Sequence, residues 1–128
     1  MDTRTRLGLL LAFSVALSAR PAAAQAPAGV TPALITQGDS IFHGKGNCYA
    51  CHGSNAQGTV GPNLTDAEWL HSDGSYDAIV KQVTTGVPKE QSKSGIVMPP
   101  RGGSTITDDE VKAVAAYVYS LSHKKAGA

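Results

Sequence analysis

The chain is poor in cysteine, in aromatic residues and in net charge. Its 128 residues include two cysteines and one tryptophan, aromatic residues make up 5%, and the formal charge is +1. So small a net charge gives no basic footprint and argues against nucleic acid as a partner. A zinc site would need a second Cys/His pair at ligand spacing. Instead, His43, His71 and His123 are scattered singly. No strand-like alternation appears, so the βαβ setting of a thioredoxin-like thiol site is missing. The scarcity of aromatic residues leaves a modest apolar supply for a core, and the length suffices for one domain.

What is present centres on Cys48-Tyr49-Ala50-Cys51-His52. This is C-x-x-C-H, the pattern of covalent c-type haem attachment. Each thiol can add across one haem vinyl group, giving a thioether. Two intervening residues let one helical turn present both sulfurs to one edge of the porphyrin. His52 follows directly and can bind iron as the proximal ligand. A disulfide between these cysteines would close a very short loop and would leave His52 without a purpose. A bound haem would also add a large apolar body to a small core.

The N-terminus reads as an export signal. Arg4 and Arg6 precede an apolar run from Leu7 to Ala19, and Ala22-Ala23-Ala24 offers a cleavage site. That run is shorter than the ~20 residues of a spanning helix, no later stretch could span a bilayer, and no cysteine near the cut suits a lipoprotein anchor. The expected organisation is a signal peptide at 1–24, a flexible Ala/Pro/Gly linker at 25–30, one domain at 31–124 and a tail at 125–128. Export to the periplasm suits the motif, because bacteria attach this haem outside the inner membrane.

Local signals then mark three helices. Thr31-Pro32 pairs an N-cap with proline at N1, and Leu34, Ile35, Gly38, Ile41 and Phe42 follow at helical spacing until Gly44 and Gly46. Gly38 and Phe42 share a face, which suggests a close helix crossing. A Gly/Asn/Pro loop follows His52. Asp66 to Leu70 reads as a short helical turn carrying Trp69, which is either core or a hydrogen-bond donor to a haem propionate. Ser75 caps a helix with Tyr76, Ile79, Val80 and Val83 on its apolar face, ended by Gly86 and Pro88. Thr107 and Glu110 form a capping box for a last helix striped by Val111, Val114, Ala115, Val118 and Leu121.

Opposite His52, a second axial ligand is expected from Met98. Met1 leaves with the signal peptide, so Met98 is the sole methionine of the mature chain. It lies in an irregular Gly/Pro segment instead of a helix stripe, and Pro99 holds it extended. His71 is the main rival; His43 looks tethered on the proximal side and His123 sits near the terminus.

Taken in order, Gly38 and Phe42, the haem motif, Gly61-Pro62-Asn63-Leu64, Met98-Pro99-Pro100 and Tyr117 resemble a class I cytochrome c of the bacterial periplasmic monohaem type. The match covers nearly all of the mature chain. It departs in having Tyr where the last helix commonly has Trp, and in a Lys-rich Met loop. The resemblance implies an all-α small cytochrome c fold, three to four helices wrapped around one covalently bound haem. It implies that the first and last helices cross at Gly38, Phe42 and Tyr117, and that the Pro62 carbonyl accepts a hydrogen bond from His52.

The expected function is one-electron transfer between respiratory or dehydrogenase partners by a periplasmic carrier, with no bond chemistry of its own. His/Met ligation fills the coordination shell and raises the potential relative to bis-His. A fixed electron-transfer subunit of a periplasmic dehydrogenase complex is the nearest alternative; a haem peroxidase, a gas sensor and a thiol oxidoreductase are more distant ones. Partners are expected to be redox proteins. Lys45, Lys89, Lys93 and Arg101 would form a ring around the haem edge that steers an acidic docking surface.

Overall fold

The computed structural model describes residues 26–124; the expected signal peptide and the tail at 125–128 lie outside them. Four helices follow in chain order: α1 (Pro32–His43), α2 (Tyr49–His52), α3 (Tyr76–Thr85) and α4 (Asp108–Ser122), with a 3₁₀ turn at Pro100–Gly103. The caps act where the sequence places them. The Thr31 hydroxyl accepts from Leu34 N–H, Ser75 from Ala78 N–H, and Thr107 with Glu110 closes both arms of a capping box. Each satisfies backbone donors that would otherwise be orphaned at a helix start.

The frame is the crossing of α1 on α4. A Cβ at Gly38 would overlap the Ala113 carbonyl oxygen and lie 2.8 Å from Tyr117 Cβ. Only a bare backbone lets the helices approach so closely. One turn on, Phe42 is fully buried and meets Tyr117 edge-on at 5.3 Å between centroids. From its other side α3 adds Ile79 and Val83, and the Tyr76 hydroxyl donates to the Lys112 carbonyl at 3.3 Å. Because α4 is covered from two sides, Ala113 and Ala116 are buried beside the expected stripe.

The sequence reading and the fold differ in three places. Residues 66–70 form bends, not a helical turn. Asn63 and Asp66 accept from the backbone N–H of Thr65 and Glu68, and these side-chain bonds compete with helix formation. The segment expected as a flexible linker ends docked: Val30 joins the core and its N–H donates to Pro27 O at 3.0 Å. Val87 and Met98 form one antiparallel pair, N–H to O at 2.8 and 3.0 Å, which no local pattern announces.

His43 ties α1 to the loop after α2. Its Nε2–H donates to the Ser54 carbonyl at 2.7 Å, and Nδ1 lies 2.8 Å from the Asp39 carboxylate. Acceptors on both ring nitrogens favour the imidazolium. The Ser54 bond is the main cause of a raised pKa, burial opposes it, and Asp39 adds to it. A folded pKa above the unfolded one adds stability that is complete below about pH 6.5 and is lost as pH rises through the folded value. The His43 ring protons should therefore titrate with a midpoint above 6.5 by NMR, and His43→Gln should remove a small, solvent-screened part of the stability loss above that pH. A midpoint at or below 6.5 would contradict the two-acceptor geometry.

Candidate cofactor site

A sharp turn delivers the motif. Asn47 takes a left-handed conformation (φ 52°), and Cys48 N–H reaches back to Phe42 O at 3.1 Å, fixing the motif against α1. The single turn of α2 is closed by His52 N–H to Cys48 O at 3.0 Å. Both thiols are free and both line the same hollow. Burial pushes the Cys48 thiol up to about 11.

His52 is held as a ligand should be. It is 8% exposed, and its Nδ1–H donates to the Pro62 carbonyl at 2.9 Å. Burial, opposed by that bond, pushes its pKa down, so the ring is neutral. With the proton on Nδ1, the Nε2 lone pair is left for a metal. The loop that carries Pro62 is pinned to α2: Gly61 N–H and the Thr59 hydroxyl both donate to Cys51 O at 2.7 Å. Gly61 packs on the imidazole, where a Cβ would stand 3.0 Å from His52 Cε1.

Two adjoining hollows open beside this turn, with about 820 and 480 Å³ of empty space. His52, Cys48 and Met98 line both. The smaller one is walled by apolar side chains of α1, α3 and α4, among them Phe42, Ile79, Val83 and Val114. Trp69 stands in the same wall, its indole lying across Gly74, where a Cβ would overlap Nε1. Met98 is half-buried and firmly held. Its N–H and C=O both pair with Val87, and Gly86 packs on the Met98–Pro100 backbone, with a Cβ there 2.8 Å from Pro100 N. The rival histidines stand elsewhere. His43 has both nitrogens engaged, His123 stacks on Tyr119 at 3.8 Å, and His71 is exposed on the rim of the larger hollow.

The residues fit a covalently held haem. Two thiols and a neutral imidazole come from one turn, the walls are mostly apolar, and one thioether lines both hollows with that imidazole. The expected ring of cations is changed by the fold. Lys45 pairs with Glu110 at 2.6 Å, and Arg101 bridges Asp108 and the Ile106 carbonyl. These partners hold both carboxyls below their usual range. Two acids at the start of α4, Asp108 and Glu110, thus neutralise two of the four cations. Lys89 and Lys93 stay exposed in the loop before Met98. Arg101 itself sits in a left-handed conformation (φ 55°) that nothing local in the sequence signals.

The chain is similar, over residues 33–118, to the family described as cytochrome C oxidase, cbb3-type, subunit III. The subunit CcoP of Rubrivivax gelatinosus is 40% identical over 92 residues, which is 71% of this chain and 27% of that protein. FixP of Rhizobium meliloti (strain 1021) is 41% identical over 103 residues, 76% of this chain and 30% of that protein. The chain thus spans under a third of these two relatives. Among solved structures, cytochrome cL of Methylophaga aminisulfidivorans superposes with a TM-score of 0.58 at 24% identity, covering 73% of this chain and 57% of that one. Cytochrome cL of Hyphomicrobium denitrificans gives 0.58 at 20% identity, covering 73% and 52%. These last two likenesses are of fold.

Proposed function

Because this chain belongs to the cbb3-type cytochrome c oxidase subunit III family and has the all-α fold of small cytochromes c, we propose that it is a one-electron carrier whose single haem iron is bound by His52 and Met98. Its cofactor is haem c, which when bound supplies reversible Fe(III)/Fe(II) exchange. Cys48 and Cys51 anchor it through thioethers. His52 offers Nε2, and the Pro62 carbonyl fixes the ring and raises its basicity. Trp69 walls the smaller hollow and would be the indole N–H donor for a propionate. Met98 would supply the second protein ligand to the iron, leaving no open site for substrate or O₂, so the domain acts as a carrier, not as an enzyme.

The observation that carries this reading is that His52 and Met98 line both hollows while the other histidines are engaged or peripheral. Met98→Ala tests it. The variant should keep its haem, turn high-spin or recruit water or another histidine, lose the far-red Met–Fe(III) band and show a lower potential. An unchanged band and potential would transfer the role to His71 or another ligand.

The carrier works in the periplasm, following the export signal read at 1–24; among the described residues no helix is long and apolar enough to cross a membrane. Its partners are redox proteins, and with Lys45 and Arg101 engaged, steering of an acidic partner falls to Lys89 and Lys93. A second reading, a fixed electron-transfer subunit of an oxidase, is favoured by the names of the relatives. Co-purification of the tagged chain with a membrane oxidase would select it over a free shuttle.

A further inference from the structure

Arg101, Gly102 and Gly103 follow one another in the left-handed region, at φ 55°, 65° and 75°. Glycine enters that region freely, whereas a side chain of L configuration makes it costly. The one non-glycine residue of the run is therefore strained. Strain of this kind persists only where the surrounding contacts over-determine it.

The guanidinium makes those contacts. Its Nη1–H donates to the Ile106 carbonyl at 2.7 Å, and its Nη2–H donates to the Asp108 carboxylate. Ile106 is 2% exposed and belongs to the core, and Asp108 opens α4. The Arg101 carbonyl is held as well, accepting from the Ser104 N–H and hydroxyl at 3.1 and 2.7 Å. The side chain thus serves α4, while its neighbours Pro99 and Gly102 line the larger hollow.

Met98 stands three residues earlier. Pro99 (φ −68°, ψ 153°) and Pro100 make a stiff spacer between the two. Gly102 N–H donates back to Pro99 O at 3.0 Å. A Cβ on Gly102 would lie 3.1 Å from Gly46 O, two residues before Cys48, so this turn also abuts the lead-in to the haem motif. On its upstream side Met98 is held by the pair with Val87, and one antiparallel pair is a weak restraint by itself. The Arg101 bonds fix the downstream end of the same segment.

Resting on the His52/Met98 reading above, we propose that Arg101 is a positioning residue of this site: by tying the turn after Met98 to Ile106 and Asp108, it keeps the thioether on the iron and the sixth position closed to external ligands. A closed state then exchanges with a minor open one in which the methionine has left. An added ligand binds the open state alone, so its apparent affinity reports the open population. Cutting the tie enlarges that population without altering either axial residue.

The test uses the full-length oxidised holoprotein, with imidazole as the external ligand and the far-red Met–Fe(III) band as the readout. Arg101→Gly removes the guanidinium and accepts the left-handed backbone without strain. Imidazole should then bind about tenfold more tightly. Asp108→Asn spares the bond to Ile106 and should give a smaller gain. Asp109→Asn, which changes an acid of the same first turn that pairs with Lys112, should give none. In denaturant, the band of Arg101→Gly should disappear earlier than in wild type, by more than the helix circular dichroism midpoint moves. Unchanged imidazole affinity in Arg101→Gly overturns the proposal. So do equal gains in Asp108→Asn and Asp109→Asn, which would assign the effect to helix-end charge. A band midpoint that falls no further than the helix midpoint overturns it too, leaving Arg101 a merely structural role. Should Arg101→Gly fail to fold, Asp108→Asn set against Asp109→Asn still decides. Failure of the underlying reading is separately visible: wild-type protein would then lack the far-red band.

Discussion

Gly38→Ala is expected to destabilise the protein by about 3 kcal/mol or more, towards the upper end of overpacking effects in cores. Helix propensity alone points the other way, favouring alanine by about 1 kcal/mol. The clash prevails because the obstructing atom is the Ala113 carbonyl oxygen, part of the α4 backbone, and cannot rotate aside. Relief requires α1 and α4 to part, which loosens Phe42 against Tyr117 and Val114. Small domains hold roughly 5–15 kcal/mol in total, so the loss is a large share. Denaturant midpoints followed by helix circular dichroism measure it, with Gln37→Ala, exposed on the same helix, as the comparison. A Gly38→Ala protein as stable as wild type would mean that the helices do not meet at this residue.

The second large effect is all-or-none. Cys48→Ala together with Cys51→Ala should abolish covalent haem, whereas wild-type protein should keep the mass of one haem after acid–acetone extraction. His52→Ala leaves both thiols in place and removes the imidazole that the Pro62 carbonyl orients. Holoprotein should then fail to accumulate, because the iron loses its proximal ligand. Wild-type protein recovered with the mass of the bare polypeptide would refute the site. A His52→Ala holoprotein with unchanged spectrum and yield would refute its ligand role.

Much of this was legible because the signals are local. Thr31-Pro32, Ser75 and the Thr107/Glu110 box lie within a few residues of the groups they cap, and the haem motif is contiguous. The features that were missed depend on distant partners or on side chains that oppose helix. Asn63 and Asp66 bend the chain before Trp69 by bonding to nearby N–H groups. The pairing of Lys45 with Glu110 and of Arg101 with Asp108 needs the start of α4 to come beside the motif and the Met segment. Met98 could be singled out by elimination, but its clamp on Val87 is a consequence of tertiary packing. Likewise, that His43 bonds to Ser54 follows from where the loop returns.

The Val87–Met98 pair and the Gly86 contact close off residues 88–97 at their base. Within that loop Ser92, Ser94, Ile96 and Val97 line the larger hollow, whereas Lys89 and Lys93 do not. Doubling such a loop costs only about 0.6 kcal/mol in closure entropy. A lineage can therefore exchange Lys89 and Lys93 to suit a new partner while the lining of the hollow stays as it was. Recognition and redox tuning thus meet within one short loop, and a chimera between relatives cut at its base would exchange the outer lysines and part of the hollow's lining together.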